Sequence, residues 1–268
     1  MRALWLPFII VGSVLTAGSS CAVEIIGHRG ASYDAPENTL AAFRLGYQQH
    51  ADAVELDTYL TPDGRIAVIH DGDTLRIAGI SNRVAQTPFE ELRKLEAGQW
   101  GKWTNKAFAE KIPALEEALA IVPKGRRLFV EIKCGPEILP QLKAVIKRAG
   151  KEPAQTVLIG FNYETMRQAK AEFPMLECCW LAGPNKKKEF PPLDELIGKA
   201  KAARLDGLDL ESGFPIDSAF VAKVHGAGLK LYTWTVDDAR VAREQAAAGV
   251  DGITTNRPRW LREQLAQP

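Results

Sequence analysis

The amino-acid sequence predicts an α/β fold, a (β/α)₈ TIM barrel with a small hairpin and loop insertion after the second strand. Its 268 residues are close to the ~250 that such a barrel requires. Short apolar runs alternate with helical patterns over nearly all of the chain beyond residue 22, which is typical of parallel strands joined by helices. No Gly-x-Gly-x-x-Gly turn follows the first run, and this disfavours a doubly wound open sheet, the alternative α/β fold.

Eight apolar runs have the length and composition of buried parallel strands. Segments with helical periodicity lie between most of them, and the alternation leaves no part of the chain for a second domain. The predicted strands are residues 23–28, 53–58, 128–133, 156–161, 177–181, 207–210, 230–235 and 252–255, and the predicted helices are residues 39–49, 114–121, 137–149, 163–172, 193–202, 218–227 and 236–248.

The second strand–helix unit carries the insertion. A Pro-Asp-Gly turn at residues 62–64 predicts that residues 66–70 fold back as a hairpin strand. A polar segment, residues 71–111, then delays the third barrel strand. Within it Thr87 is the expected N-cap of a short helix, with a proline at the first position and Glu90 at the third. We expect the rest to form loops at the carboxyl-terminal face of the barrel, where loops shape active sites.

Residues 1–22 have the pattern of a secretory signal peptide: a basic start, an apolar run over residues 3–15 and then small residues. The apolar run is too short to span a membrane comfortably. We therefore expect cleavage near Ala22, export to the periplasm or the exterior, and one mature domain over residues 23–268. An uncleaved anchor and a lipid-modified Cys21 are the alternatives.

The composition restricts the class of ligand and indicates what stabilises the fold. The 34 basic and 33 acidic residues leave a net charge of +1, so no excess positive field is available for nucleic acid. We expect a small-molecule substrate, with membrane contact only if the protein is lipid-anchored or acts on lysolipids. Hydrophobic residues form 46% of the chain, enough for a core without disulfides. Cys134, Cys178 and Cys179 are expected to be small buried apolar residues, and a Cys134 bridge to one of the others is the alternative.

Carboxylates alternate with apolar residues at the ends of two predicted strands. Glu55 and Asp57 are two residues apart, so both point into the barrel. Glu131 and Lys133 repeat this spacing on the next barrel strand. Carboxylates gathered in one place favour a hard divalent cation, and the lysine is placed to hold an anionic group of a substrate. Salt bridges within the site, including a Glu131–Lys133 pair, are the alternative.

Two of the four histidines end strands that face the same end of the barrel. His28 ends the first strand and His70 ends the hairpin strand. Imidazole transfers protons near neutral pH, so the pair is suited to acid and base roles. A structural or metal-bound histidine is the alternative. His50 and His225 are expected to be ordinary surface or capping residues.

Three further residues complete the predicted site. Arg29 follows His28 directly, and its planar guanidinium suits a phosphate or a carboxylate of the site. Glu37 lies a few residues further on, where it orients Arg29 or touches the metal, whereas Asn38 or Thr39 is explained by capping the next helix. Trp234 is expected either to pack in the core or to line the pocket against an apolar part of the substrate.

Taken together, the motifs resemble the glycerophosphodiester phosphodiesterase family. Any one of them is weak, but they occur in family order and span nearly the whole mature chain. The matching segments are His28-Arg29-Gly30, Pro36-Glu37-Asn38-Thr39, Glu55-Leu56-Asp57, Asp63-Gly64, His70-Asp71, Ile112-Pro113-Ala114-Leu115-Glu116-Glu117, Glu131-Ile132-Lys133, Trp234-Thr235-Val236 and Gly249-Val250-Asp251-Gly252-Ile253-Thr254-Thr255.

The resemblance implies a barrel enzyme that hydrolyses glycerophosphodiesters to glycerol 3-phosphate and an alcohol. It implies one Ca²⁺ or Mg²⁺ ion, a general acid and a general base, and two cationic side chains on the phosphate. In the family the substrate's own hydroxyl is thought to attack phosphorus, giving a cyclic phosphate that water opens. The implied residues are Glu55, Asp57 and Glu131 for the ion, His28 and His70 for proton transfer, and Arg29 and Lys133 for the phosphate.

Two positions depart from the family pattern. Family members often carry an acidic residue at the position of Asn256, and often asparagine at the position of Asp237. Both lie at strand ends near the barrel opening, so we expect them to affect substrate choice and not the core chemistry. Two other functions stay open: a lysophospholipase D or cyclising phospholipase with the same site, and a non-catalytic barrel that binds a phosphate ligand. The presence of both His28 and His70 argues against the second.

Overall fold

The computed structural model describes residues 23–106 and 108–267. The predicted signal peptide, with Cys21, lies outside the described residues. Within them the (β/α)₈ barrel prediction is confirmed. The strands are β1 (Glu24–Gly27), β2 (Ala53–Leu60), β3 (Ile66–Val68), β4 (Arg127–Ile132), β5 (Thr156–Gly160), β6 (Glu177–Ala182), β7 (Gly207–Glu211), β8 (Lys230–Trp234) and β9 (Gly252–Thr255).

All strands except β3 pair in parallel and close into a barrel. Neighbouring strands follow chain order, and β1 pairs with both β2 and β9. In the last pairing Gly27 lies opposite Thr255. The carboxyl ends of the eight strands therefore meet at one opening, the position of the active site in this type of fold.

The helices lie outside the barrel, and four of them begin with a side chain that caps a backbone amide: Thr39, Asn162, Asp217 and Asp238. The α-helices are α1 (Leu40–Gln48), α2 (Leu75–Ala78), α3 (Phe89–Arg93), α4 (Leu115–Ala120), α5 (Leu139–Ala149), α6 (Tyr163–Glu172), α7 (Leu193–Ala202), α8 (Ser218–Gly226), α9 (Ala239–Ala248) and α10 (Pro258–Ala266), with 3₁₀ turns at Val84–Gln86, Gly101–Trp103, Pro136–Ile138 and Pro153–Gln155. The last helix, α10, was not predicted from the sequence.

Hydrophobic side chains form one layer between the strands and the helices and a second layer inside the barrel. Inside, the Phe129 and Tyr232 rings meet edge to face with centroids 5.2 Å apart. Below them Arg127 bonds Glu24 at 2.6 Å and Glu177 at 2.7 Å. Among the described residues, these side chains thus fill the amino-terminal end of the barrel interior.

The insertion forms the expected hairpin, because β3 pairs antiparallel with the end of β2. The predicted cap of the following helix was wrong. Helix α3 begins at Phe89 after Pro88, and Thr87 donates to the carbonyl of Arg83. The Asp63 carboxylate of the hairpin turn accepts from the Phe89 amide at 3.1 Å, so a residue distant in sequence takes the role that Thr87 was expected to have.

The three described cysteines are free thiols, with Cys178 and Cys179 buried and Cys134 half-buried. The alternative of a Cys134 bridge is therefore wrong. Over residues 23–106 and 108–267, no helix has the length and apolar character needed to cross a membrane.

Candidate active site

A cavity of about 150 Å³ lies at the carboxyl ends of the strands. Seven of the nine predicted site residues line this cavity. The other two, Asp57 and Glu37, lie behind the lining and contact Arg29. One side of the lining is ionisable and the other is mostly apolar. The ionisable side comprises His28, Arg29, Glu55, His70, Glu131 and Lys133, and the other side comprises Ile159, Phe161, Leu181, Asp209, Trp234 and Thr254.

Three buried carboxylates meet on β2 and β4. Glu55, Asp57 and Glu131 each offer an oxygen within 4.8 Å of the others. The alternation of β2 points Glu55 and Asp57 inward, with Leu56 in the outer core, and the strand register places Asp57 opposite Glu131. Such a cluster of carboxylate oxygens could bind a metal ion.

Two cationic side chains face this cluster. Lys133 Nζ lies 3.0 Å from Glu131 Oε1 and 3.4 Å from Asp57 Oδ1. Arg29 Nε lies 3.4 Å from Asp57 Oδ2, and its backbone amide donates to Glu55 Oε2 at 2.8 Å. The predicted alternative of a Glu131–Lys133 ion pair is therefore present, and it coexists with the carboxylate cluster.

The charges of the cluster are not fully balanced. Burial, followed by repulsion from Asp57 and Glu131, raises the pKa of Glu55 well above its usual value. Burial and the Asp57 charge raise the pKa of Glu131 to about 7, although Lys133 opposes this. For Asp57 burial acts upward, but Arg29 and Lys133 lower the pKa below the usual value. Added positive charge at this point would relieve the remaining repulsion.

His28 is held by a short chain of hydrogen bonds from the end of β9. Its Nδ1 lies 2.8 Å from Asn256 Oδ1, which also accepts from Ser32. The amide nitrogen of Asn256 donates to Asp237, so Oδ1 is the acceptor side of the amide. His28 must therefore carry its proton on Nδ1 and leave Nε2 free. Burial, and then the charge of Arg29, lower the pKa of His28 to about 4.

The expectation that Asn256 and Asp237 affect substrate choice stays a prediction. In addition, Asn256 binds the ring of His28, and Asp237 holds Asn256 through both its backbone amide and its side chain. Their identities therefore bear on the proton affinity of a site histidine.

His70 stands at the end of the hairpin on the rim of the cavity. Its Nδ1 lies 2.6 Å from Asp71 Oδ1. Burial alone would raise the pKa of Asp71, but hydrogen bonds from Arg76 and His70 lower it below its usual value. A carboxylate acceptor fixes the proton on Nδ1 and compensates the charge of a protonated ring.

Glu37 joins the insertion to the site. It accepts from Arg29 at 2.9 Å, and Arg76 of α2 donates to both of its oxygens at 2.8 and 3.0 Å. Of the two roles considered for Glu37, orientation of Arg29 matches its contacts, and it is outside the three-carboxylate cluster.

Sequence reasoning missed two contributors. Asn38 donates to Asp57 Oδ2 at 2.7 Å and accepts from the Asp57 amide at 3.2 Å, so it anchors a cluster carboxylate, while Thr39 caps α1. Asp209 lines the cavity from β7. A carboxylate at an inward position between two outward leucines was the signal for it in the sequence.

Acidic, basic and imidazole groups thus surround one cavity at the opening of a closed barrel, the end at which enzymes of this fold carry out their chemistry. Fold and site together have the architecture of a barrel enzyme with a charged active site. The chain belongs to the glycerophosphoryl diester phosphodiesterase family, whose model matches residues 28–259, and the family prediction is confirmed.

Similar proteins of known structure or name support this family assignment. The chain is 32% identical over 247 residues to a glycerophosphodiester phosphodiesterase of Caldanaerobacter subterraneus, with 88% of this chain and 95% of the relative covered. The solved structure of an Oleispira antarctica phosphodiesterase in complex with the product sn-glycerol-3-phosphate has a TM-score of 0.81 at 26% identity, covering 91% of this chain and 97% of that one. A glycerophosphodiester phosphodiesterase from Agrobacterium tumefaciens has a TM-score of 0.74 at 26% identity, covering 90% and 99%. The protein is a phosphoric diester hydrolase.

Proposed function

We propose that the protein hydrolyses glycerophosphodiesters to glycerol 3-phosphate and an alcohol, with two histidines as proton-transfer groups and one divalent cation. The observation that carries the proposal is the position of the histidines. His28 and His70 line the same cavity as the carboxylate cluster and the Arg29 and Lys133 cations, so a phosphodiester held by the cations is within reach of both rings.

The residues present fit a divalent cation. Glu55, Asp57 and Glu131 offer three hard oxygen ligands close together, and the raised pKa values of Glu55 and Glu131 indicate surplus negative charge. Oxygen-only ligands of this kind suit Ca²⁺ or Mg²⁺. When bound, such an ion supplies positive charge that stabilises negative charge developing on the phosphoryl oxygens.

Arg29 and Lys133 hold the phosphate in this scheme. The Arg29 guanidinium is oriented by Glu37 and Asp57, and Lys133 is drawn into the cavity by Glu131. Fixed cations stabilise the transition state because they do not reorganise as charge develops. Trp234 closes the opposite side, where an aromatic ring suits the apolar faces of a small polyol.

His28 is the general base. Its Nε2 is unprotonated because Nδ1 donates to Asn256, and the lowered pKa of the ring keeps it neutral at pH 7. A neutral imidazole accepts a proton from the attacking hydroxyl. His70, whose Nδ1 lies 2.6 Å from Asp71 Oδ1, is the general acid that protonates the departing alcohol.

The substrate's hydroxyl next to the phosphoester is the nucleophile. Its oxygen forms a bond to phosphorus as His28 takes the proton, and the bond from phosphorus to the alcohol oxygen breaks as His70 donates one. Water then opens the cyclic phosphate, with the roles of the two rings reversed. Attack within one molecule avoids the entropic cost of bringing two reactants together.

The test is a ³¹P NMR assay of the purified protein on glycerophosphocholine with added Ca²⁺ or Mg²⁺. Glycerol 3-phosphate as the product, loss of turnover in EDTA and hydrolysis of the isolated cyclic phosphate are expected. Activity confined to lysophosphatidylcholine would replace the proposal with a lysophospholipase D or cyclising phospholipase. A protein that cleaves no diester would be a binding barrel.

We also propose that the protein is exported and works outside the cytoplasm. The basic, apolar and small-residue stretches of residues 1–22 support this. Expression of the full chain, with fractionation and N-terminal sequencing of the mature form, tests it. A mature amino terminus close to residue 23 is expected, whereas an intact Met1 in the cytoplasmic fraction would refute export.

A further inference from the structure

The mostly apolar side of the active-site cavity contains one carboxyl group, Asp209, that the proposed mechanism does not use. Asp209 is the central residue of β7, opposite Leu181 on β6 and Tyr232 on β8. Alternate residues of a strand share a face. Since Leu208 and Leu210 pack in the outer core, Asp209 points into the barrel, where it lines the cavity.

The Asp209 carboxyl is buried without a partner. The residue is 1% exposed, and its Oδ1 has no hydrogen-bond partner among residues 23–106 and 108–267. Burial, followed by repulsion from Glu131, raises its pKa well above the usual value. Buried polar atoms almost always have a partner, so an unpartnered oxygen at a cavity wall marks a position where a ligand group binds.

Asp209 is separate from the candidate cation site. The described carboxylates whose oxygens come within 4.8 Å of one another at this opening are Glu55, Asp57 and Glu131, and Asp209 is not in that group. The group that binds Asp209 is therefore not the cation but a ligand on the mostly apolar side of the cavity.

The neighbours of Asp209 restrict the chemistry of that ligand. Trp234 Nε1 donates to the Asp209 carbonyl at 3.1 Å, which fixes the indole beside the carboxyl. The Phe161 ring meets Trp234 edge to face at 5.4 Å. Aromatic walls suit the C–H faces of a polyol, and a carboxyl oxygen accepts from a hydroxyl. The cavity volume of about 150 Å³ equals about five water molecules, which admits a small polyol end.

We propose that Asp209 binds the terminal hydroxyl of the glycerol group and thereby selects glycerol-based diesters. This inference rests on the proposed function, because Asp209 lines the same cavity as Arg29 and Lys133, which hold the phosphate in that proposal. Asp209 is a specificity residue here, and the bonds made and broken at phosphorus do not involve it.

Two substrates test the proposal. Glycerophosphocholine carries the terminal hydroxyl, and 2-hydroxypropyl phosphocholine lacks it but keeps the hydroxyl next to the phosphoester. The wild-type protein is expected to cleave the second with a kcat/KM lower by about 10- to 100-fold, the effect of one hydrogen bond to a charged or buried partner. Equal rates on the two substrates would overturn the proposal without any variant.

Variants at position 209 test whether the terminal hydroxyl of the substrate binds there. Asp209→Ala should lower kcat/KM on glycerophosphocholine by about 10- to 100-fold and leave the deoxy substrate within about threefold of wild type. Asp209→Asn keeps an acceptor oxygen and the side-chain shape, so it should lose less, and it serves if the alanine variant does not fold. Glu211→Gln is the matched control, because it removes a carboxylate from the next inward position of β7 and should leave the substrate preference unchanged.

The outcomes separate this inference from the proposed function. Wild-type protein that cleaves neither substrate would contradict the proposed function. Turnover of glycerophosphocholine with equal losses on both substrates in Asp209→Ala and Asp209→Asn would support the function and overturn the role of Asp209. A loss confined to the substrate with the terminal hydroxyl would establish the contact.

Discussion

Exchanging the side chains at positions 237 and 256 tests the electrostatic control of His28. In the double variant Asn256→Asp/Asp237→Asn, the net charge and the number of donors and acceptors stay the same. The carboxylate moves one hydrogen bond closer to the imidazole, to position 256, whose side-chain oxygen lies 2.8 Å from His28 Nδ1. The exchange thus isolates the location of one negative charge.

The size of the effect follows from Coulomb's law. Two unit charges about 4 Å apart interact by about 1 kcal/mol in water and about 4 kcal/mol at the effective dielectric of a protein surface. Asn256 is half-buried, so the true value lies between these limits. The carboxylate already acts on the ring from Asp237, one hydrogen bond further away, so only part of this interaction is gained. At about 1.4 kcal/mol per pKa unit, the pKa of His28 should rise by up to about one unit from its present value of about 4.

The assay is the pH dependence of kcat/KM, measured together with NMR titration of the His28 ring. A base must be neutral to act, so activity falls as pH drops through its pKa. The raised pKa should move this acidic limb to higher pH by the same amount as the NMR titration. Asp237→Asn alone, which adds no carboxylate next to the ring, should leave the limb near its original position.

Two results would refute the reasoning separately. An unmoved NMR titration in the exchanged variant would show that the electrostatic argument is wrong. A raised ring pKa with an unmoved acidic limb would show that His28 is not the general base. His70 would then be assigned that role.

Three further changes have defined outcomes. His28→Ala should lower kcat by about 10²–10⁴ with an unchanged melting temperature, as measured in parallel by steady-state kinetics and thermal unfolding. Glu55→Gln should weaken the response to Ca²⁺, because one of three clustered carboxylates is removed, and isothermal titration calorimetry with Ca²⁺ measures the loss. Gly30→Ala should lower the free energy of unfolding by about 1–3 kcal/mol in urea titrations, because Gly30 has a φ of +87° and a Cβ would lie 2.5 Å from a backbone carbon of α1. Gly64→Ala, with a φ of +76° but nothing within 4 Å, should lose less.

Controls keep these outcomes interpretable. His50→Asn changes an exposed histidine away from the cavity and should retain wild-type kcat. Near-full activity of His28→Ala would contradict its role in proton transfer, and unchanged Ca²⁺ affinity in Glu55→Gln would contradict its role as a ligand. Equal destabilisation of the Gly30 and Gly64 variants would show that backbone conformation, and not the contact with α1, limits position 30.

Local patterns were enough to predict the barrel and the carboxylate cluster. Strand alternation, which acts over a few residues, and the rule that consecutive barrel strands are neighbours place Glu55, Asp57 and Glu131 on one side of two adjacent strands. The same rules place Asp209 inside the barrel, so its position was predictable as well. Helix α10 begins with Pro258 in its first turn, a pattern that indicates a helix start.

Contacts between distant segments could not be predicted in the same way. His28 and Asn256 are separated by 228 positions, and nothing near either residue specifies the other. The cap of α3 is similar, because Thr87 has the right local pattern but Asp63, 26 positions before Phe89, accepts from the Phe89 amide. A local preference of this kind is lost whenever the tertiary fold brings a stronger acceptor to the same amide.

The pairing of β1 with β9 has a consequence for synthesis of the chain. The strand that emerges first from the ribosome receives one of its two neighbours last, when residues 252–255 are released. Until then the nascent sheet has two open edges, which can pair with other chains. His28, at the end of β1, acquires Asn256 only at this final step, so a chain interrupted before β9 lacks both a closed barrel and an oriented histidine.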